Sequence, residues 1–301
     1  MKRLIYISFA IFAVFALSSC EEKLNPNSIF IDEEEKTDTY TAAFDAWLLR
    51  NFREPYNVEF RYKWDDSAMD PQYNLTPVSL TKADTIAHLA KYLWFDVYDK
   101  QVSPTFLAEN GPRFIQLVGS PALNTSQGTE KLGYAEGGIK ITILKVNRME
   151  GDNVEQLNEY IFKTMHHEFS HILHQKKNFP EEYKRITPDT YSQEEWQYRT
   201  EKEANEMGYV SNYGSSEAHE DFVEMIANYI VKTDKDWNRI LDNASKGTVG
   251  TQTGKDIILQ KWTIAHDWLL EKWEIELDSL RAEVQRRQDA LDMDVIMNMY
   301  E

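Results

Sequence analysis

The stretch that decides the fold runs from Lys163 to Gln175 and reads Lys-Thr-Met-His-His-Glu-Phe-Ser-His-Ile-Leu-His-Gln. It contains His167 and His171, with Glu168 directly after the first of them. Two histidines four residues apart lie on the same face of a helix, and both can present a ring nitrogen to one zinc ion. A glutamate at this position can accept a proton from a water molecule that zinc activates and pass it to a leaving amine. The pattern predicts His167 and His171 as zinc ligands and Glu168 as the general base.

Apolar residues accompany this motif at helical spacing. They are Ile161, Phe162, Met165, Phe169, Ile172 and Leu173. This period predicts a partly buried helix, which we expect to run from Asn153 to about Lys176.

Composition narrows the classes of partner. The chain has 301 residues and a formal net charge of −17. Binding to phosphate groups needs a basic surface, so this charge argues against nucleic acid as a partner. The length and the many aromatic residues are sufficient for one large domain with a sizeable core.

The first twenty residues have the pattern of a bacterial export signal. A basic start at residues 1–3 precedes an apolar run at residues 4–17, which is too short for a good membrane span. Leu17-Ser18-Ser19-Cys20 then resembles a lipobox, which implies cleavage and lipidation of Cys20. Glu21 and Glu22 resemble the acidic signal that sends some of these lipoproteins to the cell surface. We therefore expect an outer-membrane lipoprotein of a Gram-negative bacterium, anchored in the membrane through Cys20.

The remaining chain divides by composition. Residues 21–36 are polar and acidic, which predicts a flexible tether. Residues 37–301 alternate helical and strand-like patterns, and we expect them to form a single domain of the α+β class. Helices are predicted at 39–51, 81–102 and 216–233, and one long helix at 255–287.

Strands are predicted at 58–64, at 114–119 and at Ile139–Val146, where apolar and polar residues alternate. We expect these strands to form a small mixed sheet that the zinc-binding helix covers. The strand at Ile139–Val146 comes just before that helix and is predicted to be the edge strand that lines the cleft. An extended peptide can add to such an edge through main-chain hydrogen bonds.

A catalytic zinc site needs a third protein ligand. The arrangement in which one helix extension supplies three histidines is excluded, because His174 and Lys177 stand where that motif has glycine and histidine. Three ligands along one straight helix cannot converge on one ion, so we interpret His174 as an outer partner or a surface residue. The third ligand must therefore come from another helix, and the candidate stretch is His219-Glu220-Asp221-Phe222-Val223-Glu224.

This stretch resembles the gluzincin class of zinc peptidases, in which a downstream helix supplies a glutamate ligand. The resemblance implies that Glu220 binds zinc and that Glu224, one turn later, orients His167 or His171. Such a carboxylate fixes the tautomer of a ligand histidine and raises its basicity. His219 and Asp221 are the alternative ligands.

A tyrosine seven residues before Glu220 adds to the resemblance. In the catalytic domain of the anthrax lethal factor type, a tyrosine at this offset faces the zinc, which implies that Tyr213 donates to the oxyanion. Tyr209 is the second choice.

The lipobox, the motif around His167 and the segment from Gly208 to Ala227 together resemble the substrate import-associated zinc metallohydrolase lipoproteins. This resemblance implies a cofactor, Zn²⁺, a peptide or protein substrate, and an association with an outer-membrane nutrient import complex. The expected activity is hydrolysis of peptide bonds with a zincin-like fold and a helical C-terminal part. The alternative is a non-catalytic zinc-binding lipoprotein of such a complex.

Overall fold

The computed structural model describes residues 39–124, 129–136 and 138–300. The export signal with Cys20, the tether at 21–36 and Gly137 lie outside the described residues. Contacts between Cα atoms divide the chain into two compact units, Met1–Ala42 and Ala43–Glu301. The described part of the first unit is the first turn of a helix, residues 39–42. All sites discussed below lie in the second unit.

A four-stranded mixed sheet positions the candidate site. Its strands are β1 (Glu59–Arg61), β2 (Phe114–Leu117), β5 (Gly133–Glu136) and β6 (Lys140–Ile143), in the order β1-β2-β6-β5. β1, β2 and β6 are parallel, and β5 runs antiparallel to β6. The short pairs β3 (Ala122–Asn124) with β4 (Thr129–Lys131), and β7 (Thr248–Val249) with β8 (Gln252–Thr253), form separate hairpins.

The predicted edge strand was wrong. The strand predicted at Ile139–Val146 corresponds to β6, and it lies inside the sheet between β2 and β5. The chain turns back on itself just before β6, where Gly138 has a φ of 68°, so the preceding residues pair with β6 and cover it. The edge strand next to β6 is therefore β5, whose residues Gly133, Tyr134 and Ala135 are half-buried.

Helices pack around the sheet. We label α1 (Thr39–Leu48), α2 (Leu80–Ala90), α3 (Lys163–Lys176), α4 (Ala218–Val231), α5 (Asp234–Ala244), α6 (Gly254–Trp273), α7 (Leu277–Asp289) and α8 (Met293–Met299). Shorter helices and turns lie at Glu54–Tyr56, Asp66–Ala68, Asp96–Gln101, Phe106–Asn110, Val146–Arg148, Val154–Leu157, Glu181–Lys184, Trp196–Tyr198, Glu201–Glu206 and Tyr213–Ser215. Wider π-helical turns at Leu49–Arg53, Lys91–Phe95 and Asn158–Phe162 connect helical segments.

The helix α3, which carries the zinc motif, is central to this arrangement. Its side chains Met165, Phe169 and Ile172 are fully buried in the main hydrophobic core. It packs against β5 and β6 on one side and against α4 on the other. The approach to β5 is close, because a Cβ atom added at Gly133 would lie 2.3 Å from the Thr164 side chain. The predicted α+β organisation, with a small mixed sheet and a helical C-terminal part, is confirmed.

The long helix predicted at 255–287 is two helices. The first of them, α6, ends at Glu274, which has a φ of 57° and donates its N–H to the carbonyls of Leu269 and Leu270. Ile275 then enters the core with 1% of its surface exposed. Burial of this apolar side chain accompanies the left-handed conformation at Glu274, which ends one helix before α7 starts.

None of the helices that the structure describes combines the length and the apolar character needed to span a membrane.

Candidate metal centre

Two helices bring three potential ligands together. His167 and His171 project from α3 toward α4, which carries Glu220 in its first turn. The Glu220 Oε2 atom lies 3.1 Å from His167 Nε2 and 3.3 Å from His171 Nε2. In the described part of the chain, these three residues form the group whose ligand atoms all lie within 4.8 Å of one another. This is the donor set of two imidazoles and one carboxylate that zinc accepts in catalytic sites.

Glu224 lies behind His167, one turn after Glu220. Its Oε1 atom is 2.8 Å from His167 Nδ1, and only 1% of its surface is exposed. Its Oε2 atom accepts hydrogen bonds from Ser211, Asn228 and Lys163, at 2.5, 3.0 and 3.3 Å. Burial would raise the pKa of Glu224, but Lys163 and the hydrogen bonds from His167 and Ser211 hold it below its usual range. Glu224 therefore stays charged and fixes the His167 ring with Nε2 toward Glu220.

His171 has a different outer partner. Its Nδ1 atom lies 2.9 Å from Nε2 of His174, which is buried and stacks on His219. Burial, followed by His171 and His219, lowers the pKa of His174 to about 4, so its ring is neutral at pH 7. A neutral His174 accepts a hydrogen bond from His171 Nδ1–H, which leaves His171 Nε2 free as a ligand atom.

The electrostatics of this place favour a cation. Burial lowers the pKa of His167, but Glu220 and Glu224 outweigh it and raise that pKa to about 10. The pKa of Glu220 lies below its usual range, because His167 and His171 outweigh the effect of burial. A metal ion between the two Nε2 atoms and Glu220 would supply the positive charge that a proton on His167 otherwise supplies. The residues therefore fit zinc in charge, in ligand type and in the direction of the ring nitrogens.

The Glu168 side chain extends from α3 toward the edge strand β5. The pKa of Glu168 lies above its usual range, because the effect of burial outweighs that of His167 and His171. The backbone N–H of Ala135 in β5 also lowers this pKa by interacting with the carboxylate. The predicted general base is thus placed beside the two histidines and next to the strand along which a peptide could lie.

Tyr213 is at the site and Tyr209 is not. The Tyr213 ring stacks on His167 with 5.8 Å between centroids, and its phenol interacts with Glu220. Burial and three glutamates raise the pKa of Tyr213, so it stays a hydrogen-bond donor. The Tyr209 hydroxyl instead lies 2.6 Å from Thr190 Oγ1 in the core.

The alternative third ligands lie elsewhere. Asp221 points away from the histidines and forms an ion pair of 2.7 Å with Lys261, and both side chains are 0% exposed. His219 stacks on His174 and contacts Phe179 edge-on. Of the three candidates considered from the sequence, only Glu220 faces both His167 and His171.

The sequence interpretation missed several residues that the site uses. Lys163 stands one turn before His167, so helical spacing alone could have assigned it to the same face. Ser211 and Asn228 both bind Glu224, and Asn228 is one turn after it on α4. No local signal indicated Lys261, which lies 40 residues after Asp221.

A cavity of about 440 Å³ opens beside these residues. It is lined by Tyr73, Glu130, Lys131, Leu132, Gly133, Lys163, Thr164, His167, Glu168, Trp196, Asn212, Tyr213 and Glu224. The candidate base, one candidate ligand and the edge strand thus face the same space, which is large enough for a substrate side chain.

Known proteins resemble this chain over most of its length. Residues 36–278 match the model of a family described as "Putative zinc-binding metallo-peptidase". The chain belongs to this family. A crystal structure of a Bacteroides caccae protein with the same description is 34% identical, with a TM-score of 0.72, and the match covers 86% of this chain and 97% of that one. A search of curated proteins found no match. Membership of this zinc-binding metallo-peptidase family agrees with the zincin-like fold expected from the sequence.

Proposed function

We propose that this protein is a zinc-dependent peptidase of the gluzincin class in which His167, His171 and Glu220 hold the metal. The observation that carries the proposal is the convergence of three ligand atoms within 4.8 Å beside a buried glutamate that faces a cleft. A purely structural zinc site needs four closed positions and no general base. The three-residue donor set next to Glu168 is therefore the arrangement of a catalytic site.

The chain's own residues supply the proton transfers and the orientation. Bound zinc would polarise the peptide carbonyl and increase the acidity of a water molecule. Glu168 accepts the proton of the attacking water and returns it to the leaving amine. Tyr213 donates its phenolic hydrogen to the oxygen that becomes negative. Glu224 and His174 keep the rings of His167 and His171 in one orientation throughout.

The edge strand β5 supports a peptide as substrate. In an antiparallel pair, alternate residues of an edge strand turn their N–H and C=O groups away from the partner strand. Ala135 points its N–H at Glu168, so the free side of β5 faces the proposed base. An extended peptide that pairs with β5 would pass its backbone directly by that carboxylate.

The test is a cleavage assay on purified zinc-loaded protein with a broad peptide library. We expect the wild type to cleave and Glu168→Gln to lose about 10²–10⁴-fold in kcat, because general base catalysis contributes that much. The variant should keep its zinc, since Glu168 is not a ligand. Wild-type protein that binds one zinc per chain and cleaves nothing would favour the alternative, a non-catalytic zinc-binding lipoprotein.

We further propose that the protein is anchored to the outer membrane at the cell surface through a lipid on Cys20, beside a nutrient import complex. The sequence of residues 1–22 and the resemblance to import-associated lipoproteins support this proposal. Mass spectrometry of the mature N-terminus tests it. A lipid on Cys20 that is absent in Cys20→Ala is expected, and an unmodified N-terminus elsewhere would contradict it.

A further inference from the structure

The cavity beside Glu168 has a charge pattern of its own. Besides His167, five side chains that line the cavity are charged: Glu130, Lys131, Lys163, Glu168 and Glu224. Whether the cavity prefers a donor or an acceptor depends on which of these groups still has capacity for a hydrogen bond.

Each of its carboxylates already has at least one partner. Glu130 Oε2 pairs with Lys145 Nζ at 2.7 Å. Both oxygens of Glu224 accept hydrogen bonds, as described above, and Glu168 interacts with the Ala135 N–H and is needed for proton transfer. A positively charged substrate group would therefore have to compete with existing partners.

Its ammonium groups are not saturated. Lys163 has three N–H donors, and among the described residues its one hydrogen bond goes to Glu224 at 3.3 Å. Its side chain is 22% exposed and lines the cavity. Lys131 is exposed and forms no ion pair with any other residue that the structure describes; its Nζ atom lies 4.4 Å from the centre of the Tyr134 ring.

Apolar and aromatic side chains also line the cavity. Leu132, Trp196 and the rings of Tyr73 and Tyr213 line the same cavity. Trp196 packs its ring against Tyr213 with 4.9 Å between centroids, which holds it in place. An apolar surround strengthens the interaction of a charged group with a lysine, because it reduces the local dielectric response.

We propose that this cavity binds a substrate side chain next to the scissile bond and selects aspartate or glutamate through Lys131 and Lys163. The inference rests on the proposed peptidase function, and it adds the class of residue that the enzyme recognises. The net charge of −17 does not oppose it, since repulsion by distant surface charges is screened over about 8–10 Å at physiological ionic strength. Contacts inside the cavity act at shorter range.

Binding to zinc-loaded Glu168→Gln separates recognition from catalysis. The probes are fluorescent peptides that differ at one position, with Glu, Gln or Lys, scanned across the positions that flank the cleavage site of a wild-type substrate. If the wild type cleaves nothing, the same three residues are scanned along an arbitrary neutral peptide. At one position we expect the Glu peptide to bind about five- to tenfold more tightly than the Gln peptide and more tightly still than the Lys peptide. Equal affinities at every position would overturn the inference.

A charge reversal at the cavity provides the second measurement. Lys131→Glu is expected to reduce the ratio of Glu-peptide to Lys-peptide affinity at least tenfold. The matched control is Lys246→Glu, an exposed lysine that does not line the cavity, and it should leave the ratio unchanged. The same decrease in both variants would mean that overall charge sets the preference, and the inference would be wrong.

These measurements also distinguish the two proposals. Selective binding of acidic peptides without cleavage by the wild type would contradict the peptidase function and support the pocket. Cleavage without any preference for acidic residues would support the peptidase and contradict the pocket.

Discussion

His166 and His167 are neighbours on α3 and have opposite environments. His166 is 1% exposed between the rings of Trp94 and Tyr98, and its Nε2 atom has no hydrogen-bond partner among the described residues. His167 lies between the carboxylates of Glu220 and Glu224. Burial lowers the pKa of His166 to about 3, whereas the two glutamates raise that of His167 to about 10.

The comparison shows that the helix face decides what a histidine can do. Both side chains are buried, so burial alone does not make a metal ligand. What differs is the chemistry opposite each ring, which is aromatic beside His166 and two carboxylates of α4 beside His167. One face excludes a positive charge and the other attracts one, and this contrast is open to direct test.

The largest expected effect is on zinc binding. His167→Ala removes a ligand, so we expect zinc affinity to fall by more than the roughly 10–100-fold that follows the loss of an outer partner. His166→Phe keeps the size of the buried ring and should retain one zinc per chain. Competition with a chromophoric chelator measures both. A zinc loss in His166→Phe equal to that in His167→Ala would remove the distinction between the two faces.

The second effect is on stability in acid. In the folded chain the pKa of His166 is lowered to about 3 from 6.5. Between these two pH values the unfolded chain therefore binds a proton at His166 and the folded chain does not. The stability that His166 contributes is complete above pH 6.5 and is lost as the pH falls toward 3. At pH 4.5 the loss is about 2–3 kcal/mol.

Urea unfolding of the metal-free protein at pH 7 and pH 4.5 measures this effect. His166→Phe cannot take up the proton, so its free energy of unfolding should decrease by about 2–3 kcal/mol less than that of the wild type over the same interval. An identical decrease in both proteins would show that His166 titrates normally in the fold.

The smallest effects concern the outer partners of the ligand histidines. Glu224→Gln keeps a hydrogen-bond acceptor for His167 but removes the charge, and we expect zinc affinity to fall about 10–100-fold. His174→Ala removes a neutral partner of His171, and a decrease of about tenfold or less is expected. The control is His219→Ala, which removes a ring stacked on His174 without a hydrogen bond to His171. A larger loss for His174→Ala than for Glu224→Gln would reverse the assigned importance of the two partners.

The sequence was sufficient for the local parts of this site. Helical spacing predicted that His167 and His171 share one face of their helix. The same four-residue interval predicted that Glu220 and Glu224 share one face of another helix. The choice of Glu220 over Asp221 came from a resemblance. Asp221 is turned away from the histidines by its salt bridge to Lys261 on another helix, and no local sequence pattern connects these two residues.

Two errors in the predicted fold have physical causes of the same kind. The alternation of apolar and polar residues identified the strand at Ile139–Val146. It gives no information about which strands pair with this one, so the position of β5 at the edge of the sheet was missed. The periodicity of residues 255–287 continues through Glu274, and only the burial of Ile275 shows that the helix must end there. Pairing and helix termination both depend on contacts that are distant in the sequence.

The buried pair of Lys261 and Asp221 sets a limit on how the chain can be divided. Asp221 adjoins Glu220, so the salt bridge from α6 fixes the start of the helix that carries the proposed carboxylate ligand. A fragment that ends before residue 254 would include all three proposed ligands and the base but would leave Asp221 as an unpaired buried charge. A protein shortened from the C-terminus should therefore keep α6 in order to hold zinc.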